Sequence, residues 1–381
     1  MKSTLLATAI ASALTSSAIA QNVTLSGVVD VFAGSMQYSG DKRTSKVDSN
    51  GMTTSWWGLG GTEDLGGGLK MDYKLSAFFR PDNGASGRFN GNETFFSRDA
   101  WVGLSGGFGS VHVGRDVAPN FLPTVLFNAF GDSFAFSPLV LHANVPLFNG
   151  TGWSAANAGD TGWSNQIRYT TPNIGGFTAN LHYQFGEVAG TSGNRNYGAN
   201  FLYFNGPISL GGFYHSVRAN NPNPSPVGAV IIKMLPLVVA SNESVSVGTY
   251  ANVPFAEQKA WMLAAKLAMG SANVYANYEQ AKNSGVFAPT AEIPDFQATS
   301  KTWSVSADVA AGPGKFLAAY ASTKLSASGV VTSFNPKRET FSLGYDYALS
   351  KRTDAYVVYM NDKITDYDRG NSFAMGVRHK F

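Results

Sequence analysis

The amino-acid sequence predicts an all-β protein: one antiparallel barrel of 16 strands that closes on itself and crosses a membrane. Three observations carry this expectation. Apolar and polar residues alternate with period two from end to end, the side-chain period of a strand. Tight turns alternate with long connections along the chain. The composition is poor in charge, at 14%, and rich in aromatics, at 13%. Beyond the first twenty residues no run of roughly 18 apolar residues reads as a transmembrane helix. In lipid only helices and closed barrels satisfy every backbone amide, so strands that cross must close.

Taken in chain order, Met1-Lys2 is a short basic start, followed by the apolar stretch LLATAIASALTSSAIA ending in Ala18-Ile19-Ala20. This reads as a signal peptide over 1–20 with a small-residue cleavage site, leaving 21–381 as one exported barrel domain. An N-terminal membrane anchor fits less well, because the stretch is short and rich in Ser and Thr. No cysteine occurs, so disulfides are not the staple. Without Lys2 the 28 basic residues become 27 against 25 acidic ones. Near-neutrality argues against nucleic acid as a partner.

The first strand, VTLSGVVDVFAG at 23–34, is the expected partner of the last. In 69–80, Leu69, Met71, Tyr73, Leu75 and Ala77 share one face, and Lys70, Asp72, Lys74, Ser76 and Arg80 the other. SNQIRYTT at 164–171 sets Ile167 and Tyr169 against Gln166 and Arg168. GFTANLHYQF at 176–185, KTWSVSADVA at 301–310 and RETFSLGYDYAL at 338–349 repeat the pattern. The final strand sets Phe373, Met375, Val377 and Phe381 against Ser372, Ala374, Arg378 and Lys380. Tight turns fall at Asp64–Gly68, Gly106–Gly109, Asn205–Pro207, Gly270–Ser271 and Gly312–Gly314. Long connections fall near 39–53, 81–93, 116–162, 186–195, 218–256, 282–298, 324–336 and 362–370. A soluble β-sandwich also alternates. Aromatics near the strand ends and charges on the opposite faces favour an interfacial girdle and a watery lumen instead.

Four segments sharpen the reading: GLGGTEDLGGGLK (58–70), FSRDAWVGLSGGFGSVHVGRD (96–116), NQIRYTTPNIGGF (165–177) and GNSFAMGVRHKF (370–381). Together they resemble the general-diffusion porins of Gram-negative bacteria, most closely the β-proteobacterial type. The resemblance implies a water-filled channel that needs no cofactor. It implies a homotrimer set in outer-membrane lipid and lipopolysaccharide, and a third extracellular loop folded inward as a constriction. It also implies that Phe381 is part of a terminal signal read by the barrel-assembly machinery.

The constriction candidate is 116–162, far longer than an ordinary connection, with Asp132 as the acid expected at the pore. Arg98 and Arg168 lie in the motifs whose arginines line the constriction in that family, and Arg115 stands at the root of the same loop. Lys74 and Arg80 join this basic wall by alternation. The competing role for each is to pair loops to the wall. Opposed acid and base rows would orient dipolar solutes, with a mild preference for anions. One departure stands out: Ser55-Trp56-Trp57-Gly58 replaces the usual Ser-Arg-Leu-Gly. A missing arginine weakens the anion preference. The simpler reading packs a tryptophan against the inner loop; the other gives the pore a preference for flat solutes. The apolar stretch 227–244 in the second long loop is expected to be buried as a lid or partner site.

Enzyme chemistry finds little support. His112, His142, His182, His215 and His379 show no metal-ligand spacing. An outer-membrane barrel lipase or protease would have to use His142 or His215. A plugged structural or adhesive barrel is the other alternative.

Overall fold

The computed structural model describes residues 23–88, 93–143, 162–190, 195–218, 229–233, 250–286, 297–328 and 336–381. The expected signal peptide 1–20, residues 144–161 of the long connection and most of 218–256, including its apolar stretch apart from 229–233, lie outside the described residues.

Nineteen strands are described. They are β1 (Thr24–Met36), β2 (Thr44–Ser49), β3 (Trp56–Gly66), β4 (Leu69–Arg80), β5 (Ala85–Ser86), β6 (Asp99–Gly106) and β7 (Gly109–Val117). Next come β8 (Gly162–Thr170), β9 (Phe177–Gln184), β10 (Asn196–Asn205), β11 (Ile208–Arg218), β12 (Ala229–Lys233) and β13 (Tyr250–Met269). The remainder are β14 (Ala272–Val286), β15 (Gln297–Ala311), β16 (Gly314–Ser328), β17 (Lys337–Ala348), β18 (Thr353–Ile364) and β19 (Gly370–Lys380). Two short helices, α1 (Phe121–Leu126) and α2 (Pro138–His142), lie between β7 and β8.

The strands form one antiparallel ring of 16 staves. The two-residue β5 pairs only with the end of β4, and β12 only with β13. β2 and β3 make a single stave, since both pair with β1: Met36 faces Thr44 at one end and Thr24 faces Gly60 at the other. The ring closes where β1 meets β19, with Val28 opposite Lys380 and Ser35 opposite Phe373. Closure leaves no open edge.

Side chains sort as the alternation demands. Leu181 and Tyr183, Trp303 and Val305, Leu343 and Tyr347, and Met375 and Val377 are exposed on the outer face. Their neighbours Asn180 and His182, Thr302 and Ser304, Ser342 and Asp346, and Ser372 and Ala374 are buried. An exposed apolar belt around a polar interior is the inverse of a soluble protein and fits a lipid surround. At the turn after Asp64, three consecutive glycines, Gly66, Gly67 and Gly68, all have positive φ (86°, 62° and 81°). Only glycine takes that conformation repeatedly without strain, and the Asp64 carboxylate accepts from the Gly66 N–H at 2.8 Å.

Two expectations need correction. The connection placed at 39–53 contains β2, whose TSKVDS has one apolar residue, Val47, and so carries too little alternation to read as a strand. The interruption that follows turns inward because the Asp30 carboxylate gathers the N–H groups of Gly51, Met52 and Thr53 at 3.1, 2.9 and 2.8 Å. Tyr356 adds its hydroxyl to the same carboxylate. The connections placed at 282–298 and 324–336 are also shorter than expected. β14, β15 and β16 each run 15 residues and β13 runs 20. About 10 residues suffice for a tilted strand to cross a membrane, so this part of the wall stands out beyond it.

Candidate functional site: the lumen wall and the inner segment

Residues 118–143 lie inside the ring, held by the inward groups of many staves. Asn200 on β10 donates to Pro119 O at 2.9 Å, and Asn277 on β14 to Phe127 O at 2.8 Å. The Ala129 N–H donates to Ser306 on β15 at 3.1 Å, and Ser342 on β17 donates to Phe136 O at 2.7 Å. Ser133 reaches Gly51 O at 2.6 Å. Apolar contacts fill the space between. Phe130 and Phe136, fully buried, pack with Phe32, Leu317, Tyr356, Val358 and Met360. Phe127 lies against Gly211, where a Cβ would come within 2.5 Å of its ring. The lumen therefore has a packed side, along β10, β11, β13–β19 and β1, and an opposite side along β3–β8.

On that opposite side the charges group around two carboxylates. Asp99, at the start of β6, is buried. It takes a hydrogen bond from Ser76 at 2.6 Å and ion pairs from Arg98 at 2.7 Å and Lys74 at 3.1 Å. Both cations also lie over the indole of Trp56, the Arg98 guanidinium at 4.1 Å and the Lys74 ammonium at 5.5 Å from its centroid. Two cations thus share one carboxylate and one ring. Further round the wall, Asp116 pairs with Arg168 at 3.0 Å and with His112 Nδ1 at 2.7 Å. His112 is stacked on Trp101, 3.7 Å between centroids and 10° from parallel.

Asp132, on the inner segment, is half-buried and accepts from the Thr53 hydroxyl at 3.0 Å. Thr53 in turn accepts from Arg378 at 2.9 Å, and Arg378 is held by Asp354 and Asp346 at 3.1 Å each. Desolvation raises the Asp132 carboxyl above its ordinary value, against the Thr53 hydrogen bond and the charges of Arg378 and Arg98.

A family model described as "Gram-negative porin" matches residues 7–367. This chain belongs to the Gram-negative porin family. It is 35% identical to outer membrane porin protein 32 of Delftia acidovorans over 218 residues, 55% of this chain and 58% of the relative. To an outer membrane porin protein of Bordetella pertussis it is 26% identical over the full length of both. The solved structure titled "Anion-selective porin from Comamonas acidovorans" superposes with a TM-score of 0.69 at 24% identity, covering 95% of this chain and all of that one. The porin's place is accordingly the outer membrane.

The structure brings some of the expected site residues of this porin together and sets others apart. Arg98 and Lys74 form one cluster and Arg168 the adjoining one, while Asp132 on the inner segment is held by Thr53 and feels the charges of Arg378 and Arg98. Arg115 is buried, its guanidinium donating to Ser97 O at 2.7 Å, Gly162 O at 3.2 Å and Ser164 Oγ at 3.1 Å. It braces the root of the loop. Arg80 lines a separate cavity of about 170 Å³ with Arg88, Asp48 and Asn50. Phe381 pairs by backbone with Gly27, two bonds of 3.1 Å, and lays its ring where a Cβ on Gly27 would be. Trp56 packs under Arg98 and Lys74.

Asp99, Asp116, Trp101 and His112 escaped the sequence reading as site residues. Alternation within 99–105, read as 69–80 was, would have put Asp99 and Trp101 on the inner face. His142 and His215 do not suit a hydrolase at the rim. His142 is buried between Thr323 at 2.8 Å and Thr340 at 2.7 Å, and His215 is bonded to Gln258 at 3.0 Å. Among the described residues no group of His, Asp and Glu has the arrangement of a metal site.

Proposed function

We propose that this porin is a water-filled channel for passive diffusion of small hydrophilic solutes and ions, narrowed by the inner segment and mildly anion-selective. The observation that carries the reading is the uneven lumen. Segment 118–143 is packed on one side, and across from it Arg98 and Lys74 share the single carboxylate of Asp99. A surplus of positive charge beside a solvated gap favours entry of anions, with Asp132 opposing it to set a transverse field. Arg168 contributes as a lining cation partly offset by Asp116. Arg115 serves as the brace that holds the loop root in place, and Arg80 acts nearer the wide mouth.

Three further assignments belong to the same reading and rest on family likeness. The porin works as a homotrimer in a lipid and lipopolysaccharide surround. Residues 1–20 direct its export and are removed. The β19 strand with Phe381 is the segment recognised during barrel assembly.

Single-channel current in a planar bilayer under a KCl gradient tests the proposal. Steady steps arriving in threes, with a reversal potential on the chloride side, are the expected result. A potassium-side reversal would refute the anion preference. Silence from well-folded protein would refute the open pore and move the weight to a plugged barrel.

A further inference from the structure

The wall opposite the inner segment presents two tryptophans to the lumen, one on each side of β4. Lys74 connects them. Its register partner on β6 is Trp101, and its ammonium lies 5.5 Å from the Trp56 ring. Trp101 is half-buried, and the parallel His112 ring 3.7 Å behind it fixes its plane. That backing depends on Gly103, where a Cβ would meet the His112 ring at 2.6 Å. On the β3 side the inward positions are Gly58 and Gly60, which leave the wall bare. The result is a bay of about 340 Å³ open to the channel, lined by Lys74, Asp72, Trp101, His112, Gly58 and Gly60 together with small hydroxyl residues. Its size suits a single small ring.

Charge and shape then select the solute. Lys74 and Arg98 set two positive charges against Asp99, and the Asp72 carboxylate of the bay is engaged by the hydroxyls of Thr62, at 2.6 Å, and Ser105, so Lys74 is the cation that the bay offers beside Trp101. An indole held flat beside that ammonium offers stacking area to a planar π-system and nothing comparable to a puckered ring. We propose that this bay is a selectivity subsite for planar aromatic carboxylates, such as benzoate, in transit through the pore. The carboxylate faces Lys74 and the ring lies along Trp101. The proposal rests on the channel reading above and names the solute class that this channel favours.

The test compares benzoate with cyclohexanecarboxylate, which has equal charge and nearly equal size but no planar ring. Each is titrated against the chloride current of the wild-type trimer in planar bilayers. Benzoate is expected to depress the current saturably, with a half-effect concentration about five-fold lower than that of its saturated analogue. Trp101→Leu should remove that difference. Lys74→Gln should weaken both carboxylates alike. Equal half-effects in the wild type would overturn the proposal, and this comparison needs no variant to fold. Discrimination that survives Trp101→Leu would overturn it as well. Absence of any chloride current in folded trimer would instead overturn the channel reading on which it stands.

Discussion

At the scale of single residues, the decisive feature is how cations are divided among acceptors. Arg115 is taken up by backbone carbonyls, whereas Lys74 and Arg98 compete for Asp99. Neutralising that carboxylate should therefore sharpen the preference for anions. In Asp99→Asn the anion-to-cation permeability ratio, read from the reversal potential in a KCl gradient, is expected to rise roughly three-fold. An unchanged ratio would mean that the surplus charge does not face the ion path.

His142 gives a second prediction at this scale. Thr340 donates its one hydroxyl proton to Asp362 at 2.6 Å, so it accepts from His142 Nε2–H. Nδ1 is then the acceptor for Thr323. Burial pulls the imidazole down to about 3 from an ordinary 6.5. A base whose folded value is depressed contributes fully above the unfolded value and loses that contribution as pH falls. Docking of α2 should therefore weaken between pH 6.5 and about 3, by at most about 1.4 kcal/mol per pH unit. Open-channel noise is expected to grow on acidification over that range in the wild type. It should stay flatter in His142→Gln, which keeps a donor and an acceptor but does not titrate.

At the scale of elements, the inner segment is a small core assembled within a barrel. It has no regular structure beyond two single-turn helices. Its stability comes from Phe127, Phe130 and Phe136 and from hydrogen bonds to staves that are remote in the chain. Ser137 caps α2 through the Val140 N–H. Truncating Phe136 to Ala removes a fully buried ring and should cost about 3–4 kcal/mol of docking. Because the barrel ladder is untouched, the expected outcome is an intact folded barrel on electrophoresis with larger and unsteady conductance. A wild-type current trace would show that the segment is not what narrows the lumen.

At the scale of the whole molecule, stability is a matter of closure. The seam between β1 and β19 is the only place where the ring joins residues from the two ends of the described chain. It ends with Phe381 over Gly27, where a Cβ would also meet Trp56 O at 2.6 Å. Gly27→Val must displace the terminal ring or the β1–β3 ladder. The variant is expected to lose its folded form at a lower temperature than the wild type in a heat-modifiability assay. Equal midpoints would show that the seam tolerates the added bulk.

Much of this was legible before any coordinates. Period two is a local property, so the outer or inner face of Tyr183, Trp303, Leu343 and Met375 could be assigned one residue at a time. Turn chemistry is local too, and the Gly66–Gly68 run announced its hairpin. Where the local signal was thin the reading failed. β2 holds a single apolar residue, and the ends of β14, β15 and β16 continue as strands without a lipid-facing stripe to advertise them. The candidate site was half legible: Arg98, Arg168, Lys74 and Asp132 were named, but not what each would touch.

The sequence by itself determined the class of fold, the face of each well-alternating strand, the tight turns on one rim and the joining of the last strand to the first. Each follows from residue type and spacing within about a dozen positions. Only the tertiary structure decided which arginine is a brace and which a lining charge. It also decided that Asp30 and Tyr356, 326 positions apart, fold an interrupted stave inward, and that two tryptophans flank one lysine. Those outcomes depend on register between staves and on where a long loop docks. The energies involved are contacts between groups that no local pattern relates.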